Sequence, residues 1–104
     1  MAKKTLNTDA SVGTSFHNVT INCSINDLIN ILGIPEYEGN TGEDKVNFEW
    51  ICETKDGDIF TIYDWKEYRP ISRNENIEWH IGSRNKAISY EAYEELACMI
   101  SGLK

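Results

Sequence analysis

Histidine is the side chain that most often moves protons at neutral pH, and both histidines of this chain, His17 and His80, lie in predicted strands. His80 alternates with Trp79 and Ile81, so in a strand it points away from the face that those two residues share. A general base needs a partner that orients it, and Asp64 or Glu78 would supply the carboxylate. The chain has no nucleophile elbow, phosphate-binding loop or HExxH motif. The sequence therefore favours a non-catalytic binding protein, with a phosphodiesterase centred on His80 as the enzymatic alternative.

The cysteines lack the spacing of a metal or disulfide site. The chain has three cysteines, an odd number: Cys23, Cys52 and Cys98. They are widely separated and include no CxxC pair. They are predicted to be small buried residues in a reducing compartment. We expect no disulfide, no metal ion and no cofactor. Because no apolar stretch approaches the length needed to cross a bilayer, the sequence predicts a cytoplasmic protein.

A locally basic, aromatic-rich segment is the strongest chemical signal. Residues 66–86 hold five of the ten basic residues but three of the seventeen acids, and Tyr63 and Trp65 come just before them. Guanidinium and ammonium groups bind phosphate, and exposed aromatic rings stack on a base. The predicted ligand site comprises Tyr63, Trp65, Arg69, Trp79, His80, Arg84 and Lys86. In the competing interpretation the aromatic rings belong to the core and the arginines are simply solvated.

The acidic residues concentrate in a different part of the chain. Residues 36–58 carry eight carboxylates against Lys45 and Lys55, and the whole chain has a formal net charge of −7. That charge disfavours generic nucleic-acid binding and association with anionic membranes. A dense acidic surface could instead imitate a nucleic-acid backbone and block a basic protein. The alternative is an ordinary solvated face.

The elements that must position these residues are predicted from periodicity and turn chemistry. Residues 1–14 show no apolar periodicity and are predicted to be a flexible N-terminal arm, followed by a single α+β domain over residues 15–104. The predicted strands are residues 16–22, 46–52, 59–65 and 77–81, and the predicted helices are residues 25–32 and 90–101. Asp56-Gly57 predicts a tight hairpin between the second and third strands. The order β-α-β-β-β-α predicts a three- to four-stranded antiparallel sheet with two helices packed on one face.

Capping residues mark both predicted helices. Ser24 precedes the first helix with Asp27 in its first turn, and Gly33 is the expected left-handed residue after its last turn. Ser89 is predicted to cap the second helix, which Gly102 ends. The predicted buried stripe of the second helix is Tyr93, Leu96, Ala97 and Ile100, and the residues predicted to face water are Glu91, Glu94 and Glu95.

Two short motifs lie on the predicted central strands: FxIYDWK at Phe60–Lys66 and WHIG at Trp79–Gly82. This pattern resembles that of a group of small phage and prophage accessory proteins of T-even-like and Bacteroides-type phages. The resemblance extends upstream to ILGxP at Ile31–Pro35 and to KVxFEW at Lys45–Trp50, and it covers residues 16–82.

Small phage accessory proteins of this size often antagonise bacterial immunity without catalysis. The resemblance therefore implies a protein of the host bacterial cytosol that sequesters a phosphate-bearing signalling nucleotide, such as a cyclic nucleotide or an ADP-ribose-derived signal. In that role Arg69, Arg84 and Lys86 would bind phosphate beside a stacking ring. The alternative is an acidic protein–protein inhibitor, similar to an anti-CRISPR protein, that blocks a basic host defence protein. A domain of this size has little room for a pocket of its own, so we expect a homo-oligomer with the ligand between subunits.

Overall fold

Two helices and six strands make up the part of the chain that the computed structural model describes, which is residues 1–5, 13–40, 42–43 and 45–102. In chain order they are β1 (Lys3–Lys4), β2 (Ser15–Cys23), α1 (Ile25–Leu32), β3 (Tyr37–Glu38), β4 (Phe48–Glu53), β5 (Ile59–Tyr63), β6 (Ile77–Ser83) and α2 (Lys86–Ser101). The strand pairs are antiparallel, so the predicted α+β class is confirmed. No helix within the described ranges is long and apolar enough to cross a membrane.

The centre of the sheet is formed by β4, β5 and β6, with shorter or irregular strands at the edges. The turn at Asp56–Gly57 joins β4 to β5 as predicted, and Gly57 has a φ of 87°, which favours glycine. At one edge β2 pairs with β6 across a bulge between Phe16 and Thr20. On the other side of β4 lie both β1 and β3. The sheet thus has more strands than the three to four predicted.

The two additional strands are each two residues long, which is too short for periodicity to reveal. β1 pairs with the end of β4 at Cys52 and Glu53, and β3 pairs with its start at Phe48 and Glu49. Residues 1–5 therefore belong to the sheet, because backbone hydrogen bonds to β4 hold them and Ala2 is buried. The flexible arm predicted over residues 1–14 is wrong for residues 1–5. Residues 6–12 lie outside the described part of the chain.

The helices cover one face of the sheet, and large aromatic side chains fill the core beneath them. α2 lies against β2, β5 and β6, and α1 lies against α2 and β1. The rings of Trp50 and Trp79 meet edge to face, with centroids 5.6 Å apart. Their indole N–H groups donate to the carbonyls of Gly33 and Cys23, each at 2.9 Å. The opposite face of the sheet, called the outer face below, carries the alternate residues of each strand.

The first helix follows its local sequence closely. The Ser24 hydroxyl accepts a hydrogen bond from the Asp27 N–H, and the Asp27 carboxylate accepts one from the Ser24 N–H, both at 3.1 Å. This reciprocal pair is a capping box, which satisfies two donors that the first turn leaves free. Gly33 has a φ of 89° and donates its N–H to the Ile29 carbonyl. The predicted start and end of α1 are confirmed.

The second helix begins earlier than predicted. Asn85 caps it by accepting a hydrogen bond from the Ile88 N–H at 2.9 Å. Ser89, the predicted cap, is buried inside the helix, where its hydroxyl lies 2.6 Å from that of Ser83. Both residue types cap helices well, so the local sequence did not distinguish them.

The face of α2 that packs against the sheet also differs from the predicted stripe. Its buried residues are Ser89, Ala92, Glu95 and Leu96. Tyr93 is 39% exposed, whereas Glu95, predicted to face water, accepts a hydrogen bond from the Lys55 N–H at the β4–β5 turn. The prediction was wrong for both residues. For Glu95 the reason is that a carboxylate with a backbone donor is compatible with the core.

Two of the three cysteines behave as predicted. Cys23 and Cys52 are buried, but Cys98 is exposed near the end of α2. The prediction of a buried Cys98 is therefore wrong. Within the described ranges, no group of three or more histidine, cysteine, aspartate or glutamate side chains could hold a metal ion.

Candidate functional site

A row of side chains crosses five strands of the outer face. The strand pairing places Tyr37 opposite Glu49, Glu49 opposite Tyr63, Tyr63 opposite His80, and His80 opposite Thr20. Residues directly opposite one another in neighbouring strands share a face and lie in contact range. The predicted outward orientation of His80 is thus confirmed, since its neighbours Trp79 and Ile81 are in the core.

Four rings pack together around His80 and form what we call the aromatic cluster: Phe16, Tyr63, Trp65 and His80. Phe16 stacks on His80 with ring centroids 4.0 Å apart and planes within 13°. The Trp65 ring centroid lies 6.3 Å from that of His80, with the two planes at 28°. Trp65 is 41% exposed and Phe16 36%, so the cluster presents planar apolar surface to solvent. Such a surface suits a flat heterocyclic ligand.

The residue between the two outward rings of the YDW sequence fixes their position. Asp64 is fully buried, and one of its carboxylate oxygens accepts hydrogen bonds from the N–H groups of Asn47 and Phe48, both at 2.8 Å. The other oxygen accepts from the Asn47 side-chain amide at 3.1 Å. These bonds join the end of β5 to the start of β4. Because Asp64 points inward, Tyr63 and Trp65 on either side of it point outward.

Two lysines lie beside the Trp65 ring and are called the lysine pair below: Lys45 and Lys66. Their ammonium nitrogens are 5.9 Å and 5.6 Å from the ring centroid, within the range of a cation–π interaction. The Lys66 N–H donates to the Lys45 carbonyl at 2.7 Å, which brings the two residues together. Lys66 has a φ of 56°, a conformation that costs a residue with a side chain about 1–3 kcal/mol. Such backbone is often retained at binding sites.

Two adjoining depressions flank the Trp65 ring. The larger is an open cleft of about 610 Å³ lined by Tyr37, Glu43, Lys45, Val46, Trp65 and Tyr68. The smaller, called the slot below, has a volume of about 260 Å³ and includes Glu49, Tyr63 and Gly82. Val46 and Trp65 line both. A ligand that occupies both depressions would therefore contact the Trp65 ring and the Lys45 ammonium.

Burial alters the acid–base properties of the outer-face row. Burial lowers the pKa of the His80 imidazole below its ordinary value, although the nearby Glu78 carboxylate opposes the shift. Burial and the neighbouring Glu36 raise the pKa of Glu49, and burial together with Glu49 raises the pKa of Tyr63. Burial therefore favours the neutral form of the stacked His80 ring. Asp64, one of its two predicted carboxylate partners, is engaged in the core and does not orient it.

The structure brings together three of the residues predicted from the sequence and separates the others. Tyr63, Trp65 and His80 belong to the aromatic cluster. Trp79 is fully buried, so its predicted role in stacking a ligand is wrong. Arg69 forms a two-pronged ion pair with Glu75, with one nitrogen–oxygen distance of 2.9 Å, and this pairing occupies its guanidinium.

The other two predicted phosphate donors, Arg84 and Lys86, follow the C-terminal end of β6. Arg84 is exposed in the bend before α2, and Lys86 is the first residue of α2, where its ammonium lies 5.8 Å from the Tyr90 ring centroid. Neither lines the cleft or the slot.

Sequence reasoning missed Phe16, Lys45, Lys66 and Glu49 as members of the site. Phe16 reaches His80 only through the pairing of β2 with β6, and Lys45 reaches Trp65 only through its backbone hydrogen bond to Lys66. For Glu49 the sequence did contain one signal. It lies between Phe48 and Trp50 in a strand, so its side chain points to the opposite face from theirs.

Comparison with known proteins gives no function to transfer to this chain, so the function has to be argued from the site. No protein-family model, no curated protein and no solved structure matches this chain. The resemblance of the FxIYDWK and WHIG motifs to small phage proteins stays a prediction. What the protein binds must therefore be inferred from the chemistry of the outer face.

Proposed function

We propose that this protein is a non-catalytic binding protein that sequesters a phosphate-bearing nucleotide on the outer face of its sheet. The observation that supports this most is the contact between the lysine pair and the exposed Trp65 ring, next to His80 and Phe16. A flat base would stack on the aromatic cluster, and the lysine pair would bind the phosphate. These residues replace Arg69, Arg84, Lys86 and Trp79 of the predicted site.

The energies of these contacts suit a ligand of this class. Stacking of one base on an aromatic side chain contributes about 1–3 kcal/mol, and an ammonium–phosphate hydrogen bond is stronger than a neutral one. The net charge of −7 repels long nucleic acids, whose affinity depends on many phosphate contacts. A mononucleotide, a cyclic nucleotide or an ADP-ribose derivative needs only the local lysine pair. The geometry therefore favours a small ligand over a polymer.

The biological setting of the proposal comes from the resemblance to phage accessory proteins. A protein that withdraws a signalling nucleotide from a host immune pathway needs affinity and abundance but no turnover. The stacking of His80 against Phe16 is consistent with a binding surface, because a general base needs access to the proton that it removes. Residues of one chain line both depressions, and the homo-oligomer that the sequence predicted stays a prediction.

The acidic inhibitor predicted as the alternative has less support from the surface charges. Three carboxylates of the acidic stretch lie near cations of this same chain: Glu36 near Lys4, Glu38 near Arg73, and Glu53 near Lys3, each at 3.6 Å. Partial neutralisation weakens the resemblance of this stretch to a nucleic-acid backbone. A basic protein partner therefore stays the second hypothesis.

Binding can be tested by calorimetry and thermal unfolding with a panel of mononucleotides, cyclic di- and trinucleotides and ADP-ribose. A ligand at about 100 times its Kd should stabilise the protein by about 2.7 kcal/mol. Trp65→Ala and Lys66→Ala should each lower the affinity at least about tenfold. Lys86→Ala is the matched control, because it removes a second lysine–aromatic contact outside the site. The absence of any stabilisation by every compound at millimolar excess, or an equal loss in the control, would contradict the proposal.

A further inference from the structure

Glu49 is a carboxylate held at the slot without a compensating positive charge. It lies in the outer-face row between Tyr37 and Tyr63, and it lines the slot together with Tyr63 and Trp65. Within the described ranges, its carboxylate pairs with no cation and accepts no hydrogen bond. The charge that acts on its pKa is that of another acid, Glu36. Glu49 is half-buried, and a ligand that supplies N–H donors would offset the desolvation of its carboxylate.

Two other acids on the same edge of the sheet show that this absence of a partner is not general. Glu36 accepts a hydrogen bond from the Ile51 N–H at 2.8 Å and lies near Lys4, and Glu53 lies near Lys3. Both carboxylates pair with lysines of β1 and so help to attach β1 to β4. Glu49 serves no such contact, although burial and Glu36 raise its pKa. Of these three acids, Glu49 is the one that the described residues leave without a donor or a cation.

The slot beside Glu49 depends on a glycine in the middle of a strand. A methyl group at Gly82 would lie 2.6 Å from the Thr61 hydroxyl oxygen and 3.5 Å from the Tyr63 ring. Only glycine keeps this part of the outer face open without displacing Thr61. Since the slot shares Val46 and Trp65 with the cleft that Lys45 lines, a base in the slot would have its phosphate next to the lysine pair.

The two oxygens of a carboxylate match one arrangement of base donors best. The Watson–Crick edge of guanine presents two adjacent donors, N1–H and the N2 amino group, which can bond both oxygens at once. Adenine presents one donor next to an acceptor nitrogen, which would repel the second oxygen. Paired hydrogen bonds of this kind contribute about 1–3 kcal/mol to discrimination between bases, which corresponds to about 5- to 150-fold in affinity.

We propose that Glu49 determines base specificity and that the ligand class is guanine nucleotides, with guanine in the slot and its phosphate at the lysine pair. This inference rests on the proposed function, since it assumes a nucleotide on the outer face. It adds a selectivity that stacking and phosphate binding cannot provide, because every base has a ring face and every nucleotide a phosphate.

The test compares GMP, IMP and AMP by titration calorimetry, because inosine retains N1–H but lacks the N2 amino group. The wild-type protein should bind GMP about tenfold or more tightly than AMP, with IMP between them. Glu49→Gln exchanges one acceptor oxygen for an amide donor, which matches adenine better than guanine. The GMP-to-AMP affinity ratio should therefore fall at least about tenfold in this variant. Glu53→Gln, on the same strand and face, is the matched control and should leave the ratio unchanged.

The possible outcomes separate this inference from the function on which it rests. Equal binding of GMP and AMP, or a Glu49→Gln variant that binds every nucleotide more tightly with the ratio unchanged, would overturn the role of Glu49 and leave nucleotide binding intact. The second pattern would mean that Glu49 acts only as a repulsive charge. No binding of any of the three nucleotides would overturn the guanine assignment, and no binding of any compound in the wider panel would overturn both proposals. The melting temperature of each variant shows whether it is folded.

Discussion

Replacing Asp64 with alanine removes the carboxylate that three donors of the adjacent strand share. One oxygen accepts from the Asn47 and Phe48 N–H groups, and the other accepts from the Asn47 side-chain amide. Asp64 is fully buried, so water cannot easily replace its carboxylate as the acceptor for these donors. The substitution therefore tests whether this residue holds β4 to β5 below the aromatic cluster.

The expected loss follows from the number of donors left without an acceptor. Each buried donor that loses its partner costs about 1–3 kcal/mol, and hydrogen bonds to charged groups are at the upper end of that range. Three such donors, with some relaxation of the chain, predict that Asp64→Ala lowers the free energy of unfolding by about 3–5 kcal/mol. A domain of this size has about 5–15 kcal/mol in total, so the variant should be marginally stable.

Asp64→Asn refines the test because it removes one acceptor and keeps the other. Its remaining oxygen can still accept from both backbone N–H groups, but its new amide would face the Asn47 amide, donor against donor. We expect a loss of about 2 kcal/mol, smaller than for alanine. Asp56→Asn is the control, since Asn-Gly suits the exposed hairpin turn as well as Asp-Gly and should change stability by less than about 0.5 kcal/mol.

Urea unfolding, followed by circular dichroism and tryptophan fluorescence, measures all three variants. The order of stability should be Asp56→Asn, then Asp64→Asn, then Asp64→Ala. A loss below about 1 kcal/mol for Asp64→Ala would refute the assignment of three buried hydrogen bonds to this carboxylate. Equal losses for the asparagine and alanine variants would refute the distinction between its two oxygens.

Two further predictions concern single side chains. A thiol reagent should modify Cys98 rapidly in the folded protein and reach Cys23 and Cys52 only after unfolding. The reason is that burial protects those two thiols and raises the pKa of Cys52. Modification of all three cysteines at one rate would contradict the described burial. Burial lowers the pKa of His80, so the unfolded chain takes up a proton first as the pH falls, and stability should decrease as the pH falls through about 6.5. In an NMR titration the His80 midpoint should lie below about 6.5, and Phe16→Ala should move it upward by exposing the ring that Phe16 covers; an unchanged midpoint would contradict this cause.

The local elements of this fold could be predicted because the forces that define them act over a few residues. The capping box at Ser24 and Asp27 and the positive φ of Gly33 set both ends of α1. Asp56-Gly57 set the hairpin between the two central strands, and alternation assigned His80 to the opposite face from Trp79. Each of these features depends on neighbours within about four positions, which a sequence displays directly.

The remaining features depended on contacts between distant parts of the chain. Asn85 and Ser89 are both good helix caps, and the hydroxyl of Ser83 on β6 decides that Ser89 is buried. The two-residue strands β1 and β3 exist because β4 offers unpaired backbone groups, and no periodicity can reveal so short an element.

The binding surface likewise combines features that the sequence predicts with features that depend on the tertiary structure. By itself the sequence determined that Tyr63 and Trp65 share one face and that this part of the chain is rich in cations. Only the tertiary structure decided that this face is the one the helices leave uncovered, that Phe16 stacks on His80 from another strand, and that Lys45 and Lys66 meet at the Trp65 ring. The physical reason is that alternation divides a strand into two faces, whereas the packing of the whole sheet determines which face is buried.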